Sequence, residues 1–567
     1  MVNRLVSVDE GNNLPPEVQT ALVGSVETYF ETLTTRAESA ADDAANDSAS
    51  AASSKSLAET ARDEAEAAAA SATAPTDTMV SSLLADSGSA TREAVGTLVE
   101  SGYKVFVDTD FPSLAAAVSA TTSGSTLRVF GTYSLAATLV IDKPMTVEFV
   151  TGSSLTTATA IDAVQILSSN VTLKNPRIIG TGNATAGLTK AIFVKGLVGA
   201  YLSNIHILDA HISSFNKDGI WMEYVTQFSV QNMNIHDMAY SGVITISCTD
   251  GRIEGGRIKN ITKPAGFPQC YGIALTRDSN LSMSDSPRTE NVVVTGVTVE
   301  NVNWEGIDTH AGKNLTITNN TVLGCHIGIA MVPCPDPTGN DAWAAIGMIC
   351  TNNYIDSRVS NGSKSNGIIF VGAGVLGAVV EYANGIVSNN IVVDHGTDSS
   401  NQGLWGGILL SMTRGVIISN NLFVRPTGAG IQLYHSNREM VLSANVIEDV
   451  WSEAGGTSVA FYVRSTTNNA SITGTQISRG SKSATYVNTV GLRADLAGSV
   501  MLISDGSNRW SKATTAVVAP VSAVRFSFFG APDIQQPTIR AAATDAATAL
   551  ALANDLRAKL ISLGIMV

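Results

Sequence analysis

Two short segments combine acidic, imidazole and indole side chains within a few residues of a glycine. They are NKDGIWMEY and NWEGIDTH, and they contain Asp218, Trp221, Glu223, Trp304, Glu305, Asp308 and His310. Paired carboxylates act as general acid and base on glycosidic bonds. A carboxylate beside an imidazole can act as an oriented general base, ligate a metal weakly or hydrogen-bond a sugar. The same residues can also be plain loop anchors or subunit contacts.

The candidate catalytic acids are Glu305, Asp308 and Glu223. Glu305 and Asp308 flank a Gly on one strand and should lie about 10–13 Å apart unless the Gly bends the chain. Glu223 and His310 are three repeats apart, or roughly 14 Å. Asp308 and His310 are close, at about 7 Å. Because no pair of acids has a clear glycosidase spacing, binding is the alternative role, with the candidates His310, Asp218, Trp221, Trp304 and Arg277.

These segments belong to a repeat that must position them. Gly followed by Ile or Val and an apolar run occurs at Gly219, Gly242, Gly272, Gly306, Gly328, Gly367, Gly407 and Gly430. The shortest interval, 22 residues from 306 to 328, is about one coil of a parallel β-solenoid, and longer intervals indicate surface insertions, where binding residues usually lie.

Side-chain alternation sorts each repeat into two faces. The Ile and the fourth residue should face inward, while the third and fifth residues and the residue before the Gly face outward. The candidate residues of both segments therefore share one outer face. Most other outward positions are apolar, so we expect insertion loops or neighbouring subunits to cover that face.

Asparagine forms a second repeat along the same region, and two repeats in step with each other predict two strands per coil. Each repeated asparagine should lie at a bend, in the left-handed region of backbone conformation, and its amide should hydrogen-bond the equivalent amide of the next coil to form a ladder. They are Asn204, Asn232, Asn320, Asn353, Asn390, Asn421 and Asn445.

Composition narrows the class of partner. The chain has 567 residues, 49 Gly, 15% charged residues and a formal charge of −14, which favours a long all-β body and argues against a nucleic-acid partner. The N-terminus lacks the apolar core of a signal peptide, and no run of about 18 apolar residues occurs, so we expect synthesis in the cytosol and no membrane insertion. Five cysteines without a CxxC pair favour buried free thiols. We expect no metal and no cofactor.

Composition and periodicity also divide the chain into six parts. We expect an attachment segment over 1–16, an Ala-rich helical stalk over 17–74, a helical connector over 75–103, a β-helix with an N-terminal capping helix over 104–480, a C-terminal β region over 481–535 and a trimerising helix over 536–567. A disordered Ala/Ser linker is the alternative for 17–74. The closing helix either packs on its own rod or joins a three-chain bundle.

The region from VFVDTDFPSLAAAV through the Gly and Asn repeats resembles the pectate-lyase-like right-handed parallel β-helix superfamily over about residues 104–480. Three further pieces, RLVSVDEGNNLPPEVQTAL, PTDTMVSSLLADSGSATREAV and ALANDLRAKLISLGIMV, resemble parts of minor tail proteins or tailspikes of phages that infect actinobacteria. This resemblance implies trimers on the tail tip that bind, and sometimes cut, surface polysaccharide. The polygalacturonase motif set of the superfamily is incomplete, because GRIK occurs without a preceding DD or GHG.

The sequence thus predicts a homotrimeric phage tail fibre or tailspike that recognises a host cell-surface glycan. Such a protein would be made in the host cytosol, be released by lysis as part of the virion tail and contact other tail proteins through its N-terminus. The alternative is a polysaccharide hydrolase or lyase that uses Glu305, Asp308 and Glu223. A secreted bacterial lyase is disfavoured by the missing signal peptide.

Overall fold

A computed structural model describes residues 103–105, 111–157, 159–182, 189–358, 365–375, 377–396, 406–451, 458–464, 469–478, 489–494, 500–503, 515–518, 525–527 and 534–535. The expected attachment segment, stalk and closing helix lie outside these residues, as does all of the connector except Tyr103. The described part of the chain has no helix that is both long and apolar enough to cross a membrane.

The described chain winds into a parallel β-helix. One of its faces, sheet 1, is built from the eight Gly repeats, three strands that precede them and three that follow them. Its strands are Leu139–Ile141, Val164–Ile166, Lys190–Lys195, Asp218–Glu223, Ser241–Ile246, Tyr271–Thr276, Glu305–His310, Ile327–Val332, Ile368–Val371, Gly406–Ser411, Ala429–Leu433, Ser458–Val463, Thr489–Ala494 and Thr515–Val518.

The other two faces are joined through two long strands, Val225–Met238 and Thr249–Ile261, which run through the bend between them. Sheet 2 also contains Tyr103–Val105, Thr126–Val129, Met145–Phe149, Val171–Lys174, Leu202–Leu208, Glu290–Thr295, Thr316–Thr318, Met348–Thr351, Gly385–Ser388, Ile417–Ser419, Met440–Ser443, Asn469–Thr473, Val500–Ile503 and Arg525–Ser527, with Ile534–Gln535 antiparallel to the last. Sheet 3 also contains Thr132–Leu135, Ser154–Thr157, Arg177–Ile179, His211–Ser213, Thr298–Val302, Thr321–Leu323, Tyr354–Asp356, Ile391–Val393, Leu422–Val424, Val446–Glu448 and Gln476–Ser478.

Each coil therefore has three strands, and the expectation of two strands per coil is wrong. The Asn step does not end a coil. It separates a strand of sheet 2 from one of sheet 3, such as Thr316–Thr318 from Thr321–Leu323. Strands of three residues bury one side chain each, so the two together resemble a single strand in the sequence.

The interior is one continuous hydrophobic core that extends from Leu114 to Ile472. A helix, Leu114–Ala120, lies at its N-terminal side, close to the expected position over 111–120. Ser113 caps this helix by accepting a hydrogen bond from the Ala116 N–H, and its buried face contributes Leu114, Ala117 and Val118 to the core. All five cysteines are buried free thiols, as predicted.

The repeated glycines are required by close packing between sheet 1 and sheet 3. A Cβ atom at Gly306 would lie 2.5 Å from Cγ1 of Val322 and 2.7 Å from the carbonyl oxygen of Gly328 in the next coil. Both distances are shorter than van der Waals contact, so any other residue would push the sheets apart. The same clash with the next coil recurs at the other repeat glycines.

The predicted asparagine ladder is present in five coils and is buried. Nδ2 of each of the first four members donates to Oδ1 of the next member at 2.9–3.0 Å, and the members are Asn320, Asn353, Asn390, Asn421 and Asn445. We refer to these five residues as the asparagine ladder. The left-handed conformation, however, belongs to the residue before each of them, such as Asn389 with φ 57°. Asn204 and Asn232 are themselves left-handed, and their amides bond exposed neighbours.

Candidate functional site

A groove of about 840 Å³ runs along the outer face of sheet 1. Its floor comes from four successive strands, Asp218–Glu223, Ser241–Ile246, Tyr271–Thr276 and Glu305–His310, which pair in parallel. The outward residues on this floor are Trp221, Glu223, Ile244, Ile246, Tyr271, Ala274, Thr276 and His310. This arrangement follows the alternation expected from the sequence, with Ile220 and Met222 in the core and their neighbours outside.

Insertions between repeats form the walls of the groove. Residues 262–270 contribute Phe267 and Gln269, residues 277–289 contribute the segment from Arg277 to Leu281, and residues 333–345 contribute Pro333, Cys334, Pro335 and Asp341. These insertions lie in three longer intervals of the Gly repeat, 242–272, 272–306 and 328–367. The short intervals of 23 residues after Gly219 and 22 residues after Gly306 contribute no such insertion. Over these four strands, loops of the same chain thus border the apolar face, in the way that the first of the two expected solutions describes.

Trp221 and Glu223 form a polar and aromatic surface at one end of the groove. The Trp221 indole N–H donates to Oε1 of Glu223 at 2.6 Å, and the Lys217 ammonium lies 3.8 Å from the centre of the indole ring. Tyr240 continues the aromatic surface towards Tyr271, at 5.5 Å between ring centres. Both predicted residues are therefore accessible to a ligand, next to two tyrosines and a lysine that sequence reasoning did not select.

Asp218 supports this end of the groove from below. Its side chain is fully buried, accepts a hydrogen bond from the Ser241 hydroxyl at 2.6 Å and lies 3.7 Å from the Lys217 ammonium. Burial raises the pKa of Asp218 to about 6, although Lys217 and Ser241 oppose the rise. The structure thus places this predicted binding residue beneath the groove, where it positions Lys217.

Like Asp218, the side chains of Arg277 and Trp304 make contacts within the protein. The Arg277 guanidinium is buried, donates to the carbonyls of Ser286 and Leu281 and stacks 4.2 Å from the Trp343 ring centre, so it ties two walls together. Trp304 packs against the interior core and stacks on His326 at the bend before sheet 1. Arg277 lines the groove only as part of its wall, and Trp304 is not among the lining residues.

Glu305, Asp308 and His310 converge at the other end of the groove and form what we call the acid–histidine cluster. One ligand atom of each residue lies within 4.8 Å of the other two. Nε2 of His310 is 3.3 Å from Oδ2 of Asp308, without hydrogen-bond geometry. Asp308 is 0% exposed and Glu305 is 4% exposed, whereas His310 lines the groove. The acids are therefore much closer together, and much more buried, than the sequence suggested.

The glycine of the repeat explains this convergence. Gly306 and Ile307 both face the interior, because a Cβ at Gly306 would meet Val322 and the Ile307 side chain is in the core. Two successive inward positions interrupt the alternation of the strand. Glu305 and Asp308 therefore both lie on the outer side of a bend in the strand. The separation of 10–13 Å estimated for the two acids in a regular strand does not apply there.

Burial dominates the electrostatics of the two acids. It raises the pKa of Glu305 well above its usual range, and repulsion from Asp308 raises it further. It also raises the pKa of Asp308, which the nearby Thr309 N–H opposes. Neither oxygen of Asp308, nor Oε2 of Glu305, accepts a hydrogen bond of normal geometry from the described residues.

The three candidate catalytic acids are not brought together. Glu223 lies in the groove three strands of sheet 1 before His310, or roughly 14 Å away at about 4.8 Å per coil, as the sequence predicted. Glu305 and Asp308 are close to each other but lie behind the groove surface. Within the described residues, this arrangement offers a ligand one half-buried candidate acid, Glu223, and an imidazole, which suits binding better than hydrolysis.

Comparison with known proteins identifies the fold. Residues 162–340 match the Beta_helix family, a right handed beta helix region, so the coil is a right-handed parallel β-helix, as predicted. No curated protein matches the sequence.

Several solved structures resemble the chain. The catalytic domain of a GH87 alpha-1,3-glucanase in complex with nigerose has a TM-score of 0.43 and 12% identity, covering 72% of this chain and 69% of that chain. The receptor-binding protein of bacteriophage Det7, a podoviral tailspike in a myovirus, has a TM-score of 0.43 and 11% identity, covering 80% of both chains. The Streptococcus pneumoniae surface protein and adhesin PfbA has a TM-score of 0.37 and 10% identity, covering 74% and 92%. These values are too low to transfer a function.

Proposed function

We propose that this protein is a phage tail protein, of the tail-fibre or tailspike type, whose groove binds a segment of a polysaccharide on the host surface. The observation that carries the proposal is the groove itself. An aromatic surface of Trp221, Tyr240 and Tyr271 is bordered by Glu223 and Lys217. A sugar ring packs an apolar face on an aromatic ring and offers hydroxyls to nearby donors and acceptors, which is the combination that these side chains provide.

The size and charge of the groove fit an oligosaccharide. Its volume of about 840 Å³ lies within the usual range of roughly 300–1,000 Å³ for ligand pockets. Side chains of both signs line it, with Lys195 and Lys217 among the cations and Glu223, Asp278 and Asp341 among the anions. This mixture favours a ligand with many hydroxyl groups over a strongly anionic one.

The role in a phage tail is supported by the terminal segments that resemble minor tail proteins. We place the N-terminus on other tail proteins, the protein in the virion tail and three chains in the assembly, with the β-helix presenting the groove. Sedimentation of the full-length protein should give a trimer. A monomer at micromolar concentration would remove the trimeric part of the proposal without affecting the groove.

Binding to host-envelope polysaccharide tests the function of the groove. Trp221→Ala should weaken binding of purified oligosaccharide fragments at least about tenfold, because the stacking surface is lost while the fold keeps its core. Tyr434→Ala is the matched control, since Tyr434 directly follows Ala429–Leu433, the seventh strand of sheet 1 after that of Trp221, and does not line the groove. Calorimetric titration of the wild type and both variants measures the effect.

The outcome separates binding from catalysis. Equal affinity in Trp221→Ala and wild type would place the glycan elsewhere and contradict the proposal. Release of new reducing ends or unsaturated sugars would instead favour the depolymerase alternative. The double variant Glu305→Gln with Asp308→Asn should then retain all of that activity if, as the geometry indicates, these buried acids do not touch substrate.

A further inference from the structure

We infer that the acid–histidine cluster binds one divalent transition-metal ion, of the type of Zn²⁺ or Mn²⁺, through Glu305, Asp308 and His310. The inference rests on the geometry of these three side chains and is independent of the proposed glycan binding. It departs from the expectation of no metal.

The hydrogen bond of His310 fixes the state of its ring. Nδ1 lies 3.1 Å from the carbonyl oxygen of Pro333, and a carbonyl can only accept, so Nδ1 carries the hydrogen. In the neutral ring, Nε2 then presents a lone pair, and it faces Asp308 at 3.3 Å without hydrogen-bond geometry. An N–H donated to a backbone carbonyl is the usual arrangement for a histidine that ligates a metal through its other nitrogen.

The carboxylates face the same point and lack other partners. Both oxygens of Asp308 and Oε2 of Glu305 are buried and receive no hydrogen bond of normal geometry within the described chain. Ionised carboxylates and a δ-protonated imidazole all present lone pairs, so they repel one another unless a cation lies between them. The three donor atoms lie within 4.8 Å of one another, and two ligands of one ion with bonds of about 2.0–2.2 Å are at most about 4.4 Å apart. Shifts of a few tenths of an ångström, which side-chain rotation can supply, therefore let the three atoms share one ion.

The donor set selects the class of ion. Imidazole nitrogen with two carboxylates suits Zn²⁺ and Mn²⁺, whereas Ca²⁺ prefers six to eight oxygen ligands. The five cysteines are not part of the cluster, which argues against a thiolate-bound ion. His310 lines the groove, so an ion can reach the cluster from that side.

Titration of the full-length protein with metal ions tests this site. Protein freed of metal by a chelator is titrated by calorimetry with ZnCl₂, MnCl₂ and CaCl₂ at pH 7.5, and bound metal is counted by elemental analysis after dialysis. We expect one Zn²⁺ or Mn²⁺ per chain. Asp308→Asn and His310→Ala should each weaken binding by about 100-fold or more, since even partners of the ligands commonly contribute 10–100-fold.

His236→Ala is the matched control. His236 lies 2.7 Å from Asp237 in an exposed pair outside the groove, and its removal should leave the affinity unchanged. Circular dichroism checks that each variant folds, and Glu305→Gln replaces any that does not. Visible absorption of the Co²⁺-loaded wild type gives a readout that needs no variant, because protein-bound Co²⁺ differs in spectrum from the free ion.

Three results would overturn the inference. They are no uptake of Zn²⁺ or Mn²⁺ by the wild type, equal uptake by Asp308→Asn and His310→Ala, and a Co²⁺ spectrum identical to that of the free ion. The first of these would mean that protons alone neutralise the cluster.

Discussion

Two groups of buried polar side chains in the same β-helix differ in whether they have hydrogen-bond partners. In the asparagine ladder each amide donates to the next amide and to a backbone carbonyl, as Asn390 does to Asn421 and Cys350. In the acid–histidine cluster two carboxylates and an imidazole nitrogen face one another without a hydrogen bond between them. An amide carries both donors and acceptors, so stacked amides satisfy one another, whereas the cluster presents only lone pairs when its two acids are ionised.

This difference distinguishes buried polar residues whose partners come from the repeat from those whose partners do not. In a column of identical amides, each coil supplies the hydrogen-bond partner for the amide of the coil before it. The cluster occurs in a single coil, where Glu305, Asp308 and His310 replace residues such as Ile327, Ala330 and Val332 at the equivalent positions of the next strand. A buried polar group that the repeat does not satisfy therefore needs a partner that the repeat does not supply, either a proton or, as proposed for this cluster, a metal ion.

The largest expected effect comes from breaking the ladder at its centre. Asn390→Ala should lower the free energy of unfolding by about 3–5 kcal/mol, because Asn353 loses its acceptor and the Cys350 carbonyl and the Asn421 amide oxygen lose a donor. Denaturant unfolding followed by circular dichroism measures the loss.

The preceding residue provides the control for this substitution. Asn389 is exposed and left-handed, with φ 57°, so Asn389→Gly should change the stability by less than about 1 kcal/mol. Similar losses in the two variants would show that the bend, and not the ladder, provides the stability.

Asp218 is intermediate between the asparagine ladder and the acid–histidine cluster, because only one oxygen of its buried carboxylate accepts a hydrogen bond among the described residues. Its pKa of about 6 in the folded protein exceeds the usual 3.8, owing first to burial, while Lys217 and Lys190 oppose the rise and Asp162 adds to it. The folded state then holds a proton that the unfolded state releases, so the contribution of Asp218 to stability is greatest below pH 3.8 and is lost as the pH rises through 6. Between pH 4.5 and 7.5 the fall should be about 2 kcal/mol.

Asp218→Asn removes this titration and retains an acceptor for Ser241. The melting temperature of the variant relative to wild type should therefore increase by a few degrees between pH 4.5 and 7.5. Scanning calorimetry at both pH values measures it. Parallel pH profiles for the two proteins would show that Asp218 keeps its ordinary affinity for protons.

The sequence predicts the register of sheet 1 well and the site less well. The Gly repeat identifies the strands and separates their inward and outward residues, so Trp221 and Glu223 are correctly placed on one outer face. Close packing against sheet 3 permits only glycine at this position, which is why the signal is so regular. The longer Gly intervals also contain the insertions that form the groove walls, a signal that could have indicated Phe267 and Asp341.

Other features depend on contacts that single residues do not encode. The bend at Gly306 brings Glu305 to Asp308, and it requires the packing of Val322 beneath the glycine. The burial of Asp218 and Arg277 depends on Ser241 and Ser286 in neighbouring coils and loops. The three-strand coil was missed because two strands of three residues on either side of an Asn step have the pattern of one longer strand.

The smallest expected effect has the opposite sign to the first and sharpens the comparison most. In chelator-treated protein, Asp308→Asn should raise the free energy of unfolding by about 1 kcal/mol, because an amide can donate to Nε2 of His310 whereas a carboxylate cannot, and because repulsion with Glu305 disappears. Thermal unfolding with and without added ZnCl₂ measures it. With the ion present the wild type should become the more stable of the two, since binding to the folded state stabilises it. A loss of stability in the chelated variant would mean that Asp308 is satisfied as the asparagines are, and that the two groups of buried polar residues do not differ in kind.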